Sequence, residues 1–165
     1  MRALLAAIRC PKGAVERNLA AHLRLLAQAR AAGCELVLFP EMSLTGSADP
    51  AAQPEWLIGL DHPAVAALAE ATSETGVGAC FGVAERSPDG TPYIAQVFAA
   101  GGRVAGVQRK RHLGEDEGAF TPATESVVFD HAAQAAGSNA HAPAGATARL
   151  PGAPSPWLPG GVSES

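Results

Sequence analysis

The chain reads as a layered α/β domain built on a mixed sheet. Three observations predict this. Through residue 75, short apolar runs alternate with stretches of helical periodicity, the pattern of strands joined by helices. After residue 76, turn signals follow one another too closely for a helix to intervene, which is the pattern of antiparallel hairpins. The composition, with 47% apolar and 17% charged residues in a chain of 165, supplies enough apolar side chains for a core.

The elements follow in order. Residues 2–9 form a short apolar run that fits a buried strand. The run resembles a secretory leader, but its apolar part spans only residues 3–8 before Arg9, shorter than the ~7–15 residues of such a leader. Residues 14–32 place Val15, Leu19, Leu23 and Leu26 on one helical face, and Gly33 marks the helix end. Residues 34–39 are nearly all apolar, as in a strand buried on both faces, and Pro40 ends them. Gly46, Pro50 and Pro54 keep residues 41–62 irregular. A second helix is predicted over 63–75, opened by Pro63 and closed by Gly76. Strands are predicted at 77–85, 93–100 and 103–109. Ser87-Pro88-Asp89-Gly90 and Gly101-Gly102 turn the chain between them. Residues 111–124 read as a polar loop and 125–130 as a last short strand.

Beyond Asp130 the character changes. Ala, Gly, Pro and Ser supply 24 of the 35 residues at 131–165, with Leu150, Leu158, Val162 and Trp157 as the larger apolar side chains. Such a segment buries too little apolar surface to offset its ordering entropy, so a disordered tail is expected there.

Charge and cysteine usage narrow the function classes. With 12 basic and 16 acidic residues the net charge is −4, which gives no electrostatic footprint for nucleic acid or an anionic membrane. Aromatic residues, at 5%, are too few for a base-stacking platform. No run approaches the ~20 apolar residues of a membrane span. The three cysteines, Cys10, Cys34 and Cys80, lack CxxC spacing, so neither a disulfide framework nor a zinc site is expected. A cytoplasmic protein is the expectation.

Three residues stand out as candidates for chemistry. Glu41 follows a buried strand and Pro40, which puts its carboxylate at a strand's carboxyl end, where the clefts of open α/β sheets lie. In an apolar mouth its pKa would rise and it could act as a general base; the plain alternative is a helix cap or a loop salt bridge. Lys110 closes the strand at 103–109 and could stabilise negative charge on a substrate oxygen, or simply belong to a solvated basic cluster. Glu117, in the acidic run Glu115-Asp116-Glu117, could orient Lys110 or a substrate nitrogen, or lie in an exposed loop. His112 and Glu115 have HxxE spacing, poor evidence for a metal when it stands alone.

The stretch Leu36-Val37-Leu38-Phe39-Pro40-Glu41-Met42-Ser43-Leu44-Thr45-Gly46, followed by Arg109-Lys110-Arg111-His112-Leu113, resembles the first two catalytic blocks of the nitrilase superfamily of carbon–nitrogen hydrolases. The resemblance covers residues 1–130. It implies a four-layer αββα sandwich and a Glu-Lys-Cys mechanism, with Glu41 as base, Lys110 as oxyanion cation and Glu117 as the further glutamate. A cysteine thiolate attacks an amide, carbamoyl or nitrile carbon, and no metal or organic cofactor is called for.

The sequence departs from that pattern in one respect. The family's nucleophilic cysteine follows a strand shortly after the 125–130 region, and here no cysteine follows Cys80. The expectation is therefore the first part of a carbon–nitrogen hydrolase domain at 1–130, truncated near Asp130 and inactive alone. The alternatives are a non-catalytic binding or subunit-interaction fragment, partnered by an intact homologue or a second copy, and one half of a split hydrolase.

Overall fold

The computed structural model describes residues 1–129. The predicted helices are present as α1 (Val15–Ala31) and α2 (Pro63–Thr75). The strands are β1 (Ala3–Leu5), β2 (Leu36–Leu38), β3 (Gly78–Arg86), β4 (Pro92–Ala100) and β5 (Arg103–Arg109). They form one sheet in the order β1-β2-β3-β4-β5. The first three are parallel, and β3, β4 and β5 are antiparallel neighbours. The sheet is mixed for the reason visible in the sequence. Crossover helices require parallel strands, whereas the turns at 87–90 and 101–102 are too short for anything but hairpins. Gly101 and Gly102 both have positive φ, 60° and 84°, as a tight hairpin turn demands.

One core fills the space between the helices and one sheet face. Leu26 and Ala29 of α1, and Val65, Leu68 and Ala69 of α2, pack on Val37, Ala79, Phe81, Val83, Ala95, Val97 and Ala99. The described residues thus make one helical layer on one sheet. Residues of the opposite parity, among them Leu36, Leu38, Cys80, Gln96 and Phe98, line a shallow apolar cleft of about 220 Å³ on the other face. Leu5 and Leu38 are among the exposed large apolar side chains.

Two sequence expectations are corrected. The strands predicted at 2–9 and 34–39 shrink to three residues each, because the chain leaves the ladder early to reach the loops that build the site. The strand predicted at 125–130 is not one over 125–129. There the Gln108 side chain takes the ladder's place: its Oε1 accepts from Val127 N, and its Nε2 donates to the Glu125 carbonyl. The tail expected at 131–165, and Asp130, lie outside the described residues.

The connection that matters most is residues 40–46. They cross directly over β3 at Gly82, where a Cβ would lie 2.1 Å from Met42 N and 2.7 Å from the Glu41 carbonyl carbon. Met42 adopts φ 48°, uncommon for a non-glycine residue. Two hydroxyls replace a neighbouring strand for β3: Ser43 Oγ accepts from Gly82 N at 3.2 Å, and Thr45 Oγ1 accepts from Ala84 N at 2.9 Å. Leu44 N donates to the Gly82 carbonyl.

Beneath this crossing lies His22, fully buried and stacked on Phe39 with ring centroids 4.1 Å apart. Its Nδ1 bonds the Asn18 carbonyl at 2.7 Å, and its Nε2 bonds Ser43 Oγ at 2.9 Å. A carbonyl only accepts, so Nδ1 carries the proton. Nε2 then accepts the Ser43 hydroxyl proton, and Ser43 Oγ stays free to accept from Gly82. This chain requires neutral imidazole, and burial pushes the His22 pKa down, opposed by the Asn18 bond.

Two predictions follow from this crossing. Gly82→Ala, which forces a methyl into the backbone of residues 40–42, should cost about 3 kcal/mol in a denaturant titration; a loss under about 1 kcal/mol would refute the close approach. His22 has a folded pKa below the ordinary 6.5, so its contribution to stability is complete above pH 6.5 and is lost as pH falls toward the folded value. The melting temperature should therefore decline between pH 6.5 and 5 more steeply than in His22→Gln, and parallel curves would exclude His22 as the cause.

Candidate active site

Topology brings the two sequence blocks to one place. β5 is antiparallel to β4 and β4 to β3, so β5 runs in the same direction as β3 and β2. The carboxyl ends of β2 and β5 therefore share one sheet edge, and the residues that follow them, Glu41 and Lys110, meet there. Lys110 Nζ lies 3.0 Å from Glu41 Oε2 and 2.6 Å from Glu117 Oε1. Glu117 belongs to a 3-10 turn, Glu115–Glu117, and its second oxygen accepts from Gly114 N at 2.6 Å. All three sequence candidates are thus brought together.

A second apolar cluster supports them from below. Met42, Ala48, Leu57, Ala84, Ile94 and Phe120 are buried together, with Trp56 and Leu113 packed against them. The segment at 111–124, expected to be a polar loop, is therefore pinned by Leu113 and Phe120. Those two apolar residues at either end of the acidic run were the signal for it. Phe120 N also donates to the Glu117 carbonyl, which closes the turn that carries the carboxylate.

The electrostatics is that of one cation between two anions. Partial burial works against the Lys110 charge, but hydrogen bonds to Glu117 and Glu41 outweigh it and raise the lysine's pKa. The Lys110 ammonium, helped by the Gly114 N–H, holds Glu117 below the ordinary carboxylate range. An ammonium has three donors; Glu117 and Glu41 engage two, and by count one is left for an oxygen on a substrate. The apolar mouth expected around Glu41 is not formed by the described residues. Its side chain is 47% exposed and faces Lys110, while the residues that follow it, Met42 to Thr45, turn into the interior.

One charged pair escaped the sequence reading. Glu85 is fully buried in β3, and Arg109 grips it with a fork: Nε to Oε2 at 2.8 Å and Nη2 to Oε1 at 2.6 Å. The guanidinium also lies over the Tyr93 ring, 4.1 Å from its centroid. In the sequence, Glu85 stands at the end of an apolar strand beside Arg86 and looks like a solvated strand end.

The cysteines play no part in this cluster. The Cys80 thiol takes a bond from Gln96 Nε2, and burial raises its pKa more than that bond lowers it. Burial also raises Cys10, whose thiol donates to the Ile8 carbonyl. Reactive thiols have lowered values, so both have the character of inert thiols. Among the described residues no cysteine hydrogen-bonds Glu41, Lys110 or Glu117, and no group of His, Cys, Asp and Glu side chains converges as a metal ion requires, His112 and Glu115 included. No described helix is long and apolar enough to cross a membrane.

Comparison with known proteins places this geometry. The model of the family described as carbon-nitrogen hydrolase matches residues 4–148, a span that runs past Asp130. A formamidase of Pseudomonas syringae pv. tomato is 39% identical over 66 residues, covering 40% of this chain and 19% of the formamidase. A formamidase of Bradyrhizobium is 39% identical over 80 residues, covering 47% of this chain and 23% of the relative. Among solved structures, a mutant of the amidase of Nesterenkonia sp. AN1 from the nitrilase superfamily, in complex with butyramide, superposes with a TM-score of 0.67 at 23% identity. That match covers 79% of this chain and 52% of the amidase. Glutamine-dependent NAD+ synthetase of Acinetobacter baumannii matches with a TM-score of 0.63 at 22% identity, over 78% of this chain and 25% of the synthetase. The structural likenesses show a shared mixed α/β fold, and the chain spans about half the length of the amidase and about a fifth of the formamidases. With a match that takes in both the strand before Glu41 and the strand before Lys110, the chain belongs to the carbon-nitrogen hydrolase family.

Proposed function

We propose that this chain carries the proton-transfer and oxyanion-binding part of an amide-hydrolysing site, and that the nucleophilic thiol comes from outside residues 1–129. The observation that carries the reading is the Lys110 ammonium, held between Glu117 and Glu41 at the sheet's carboxyl edge. Short amides are the preferred substrate class over carbamoyl amines and nitriles, since the similar proteins include formamidases and an amidase seen with butyramide.

The roles follow from chemistry. Glu41, half exposed and acceptor-only when ionised, takes the proton of an incoming thiol. The thiolate adds to the amide carbon, and the carbonyl electron pair moves onto oxygen, where the free Lys110 N–H stabilises the charge. Collapse breaks the C–N bond, and Glu41 returns its proton to the leaving ammonia or amine. Water then adds to the thioester with Glu41 again as base, releasing the carboxylic acid and the thiol. Glu117 touches neither reactant in this scheme and serves to hold Lys110.

A second reading rests on the apolar sheet face around Leu38, Cys80 and Phe98. It makes the chain a subunit-interaction fragment, or one half of a split hydrolase, that docks to a cysteine-bearing polypeptide.

Purified chain incubated with formamide or butyramide should release no ammonia. Joining residues 1–129 to the cysteine-bearing remainder of the Nesterenkonia amidase should restore release. In that chimaera Glu41→Gln should lower kcat by about 100-fold or more, the usual contribution of a general base. Lys110→Ala should lower it by about 100- to 1,000-fold, the range for loss of one oxyanion donor. Release unaffected by both substitutions would sink the assigned roles. Release by the chain alone would sink the external thiol, and Cys10→Ala, Cys34→Ala and Cys80→Ala would then identify the nucleophile.

A further inference from the structure

Lys110 is the first residue beyond β5, and its peptide is fixed on both sides: Lys110 N continues the β4–β5 pairing by donating to the Ile94 carbonyl at 2.7 Å, and the Lys110 carbonyl accepts from Ala123 N at 2.9 Å. The residue before it is fixed more firmly still. The Arg109 guanidinium reaches from β5 across the Tyr93 ring of β4 to Glu85 of β3, tying three strand ends together. Successive side chains of an extended chain leave on opposite faces, so an Arg109 locked on one face sends Lys110 to the other, toward Glu41 and Glu117.

Stability alone gives little reason for this pair. A fully buried carboxylate with its partner adds little over apolar residues of the same volume, because desolvation offsets the attraction. What an apolar pair lacks is directional geometry, which the planar fork of an arginine supplies and a lysine or methionine does not. We propose that Glu85 and Arg109 are positioning residues whose fork sets the orientation of the Lys110 ammonium toward Glu41 and Glu117. The inference rests on the reading of Lys110 as the cation of the site.

The sequence makes this directly measurable, because Lys12 and Lys110 are its two lysines. Carbon-13 labelling of lysine in the full chain gives two side-chain Cε resonances, and Lys110→Arg assigns them. Two variants keep the net charge of the pair. Glu85→Asp retains both charges but shortens the reach, and the paired Glu85→Leu/Arg109→Met variant removes both and keeps the volume apolar. In each, the Lys110 titration should fall by about one pH unit as its carboxylate contacts loosen, with the Lys12 resonance unmoved. Leu68→Ala, which removes core packing of α2 without touching either charge of the fork, should lower stability and leave the Lys110 titration where it is. The proposal is overturned if Lys110 titrates as in the unaltered chain in folded Glu85→Asp, or if Leu68→Ala moves it equally. If the paired variant fails to fold, Glu85→Asp decides alone. The readout needs no turnover, so a chain without amidase activity leaves the positioning role standing. An unmoved titration refutes that role even where activity is found.

Discussion

The passage of residues 40–42 over Gly82 is the constraint on which the remaining geometry depends. At every other residue type a side chain would occupy the space that this backbone takes. The crossing has three consequences at once. It ends β2 after three residues, it substitutes Ser43 and Thr45 hydroxyls for a strand alongside β3, and it delivers Glu41 above the sheet edge. The left-handed φ of Met42 is held in place by these hydroxyl bonds and by the buried His22 behind Ser43. A fold stabilised mainly by the packing of α1 and α2 on the sheet thus commits a polar network, internal to the core, to aiming one carboxylate.

The site itself is a small balance of charges rather than a deep pocket. Two carboxylates within reach of each other are tolerable because Lys110 lies between them, and Lys110 keeps its charge despite partial burial because both carboxylates are there. The arrangement ranks the two glutamates. Glu117 is 14% exposed and also takes a backbone N–H, which makes it the fixed anion. Glu41 is 47% exposed and meets Lys110 at 3.0 Å, which leaves it the more open of the two to an incoming group.

Much of this was legible in the sequence, for identifiable reasons. Gly33, Pro40, Pro63, Gly76 and the Gly101-Gly102 pair act locally, so the elements they bound could be placed from neighbouring residues alone. Glu41, Lys110 and Glu117 could be singled out because each follows a strand or turn signal and because the two blocks resemble a known pair. The Glu85–Arg109 fork was not legible, since its partners are 24 residues apart and meet only through the register of three strands. Nor was the loss of the strand at 125–129, which depends on one Gln108 side chain bonding both Glu125 and Val127. The deep burial of His22 was hidden because a lone histidine on a helix gives no indication of which face will be covered.

The carboxyl end of β5 is held by β4 through the Lys110 N–Ile94 carbonyl bond and by residues 123–127 through the Lys110 carbonyl and the Gln108 side chain. Local opening of a strand end costs less free energy than unfolding of the whole domain. Each such opening withdraws Lys110 and leaves Glu41 and Glu117, 76 positions apart in the chain, facing one another without a counter-charge. Their repulsion then opposes reclosure by the loops while the core beneath stays intact. The bonds at this one strand end, with the Arg109–Glu85 fork beside them, therefore keep the charge cluster assembled, a task separate from the helix packing that holds the core.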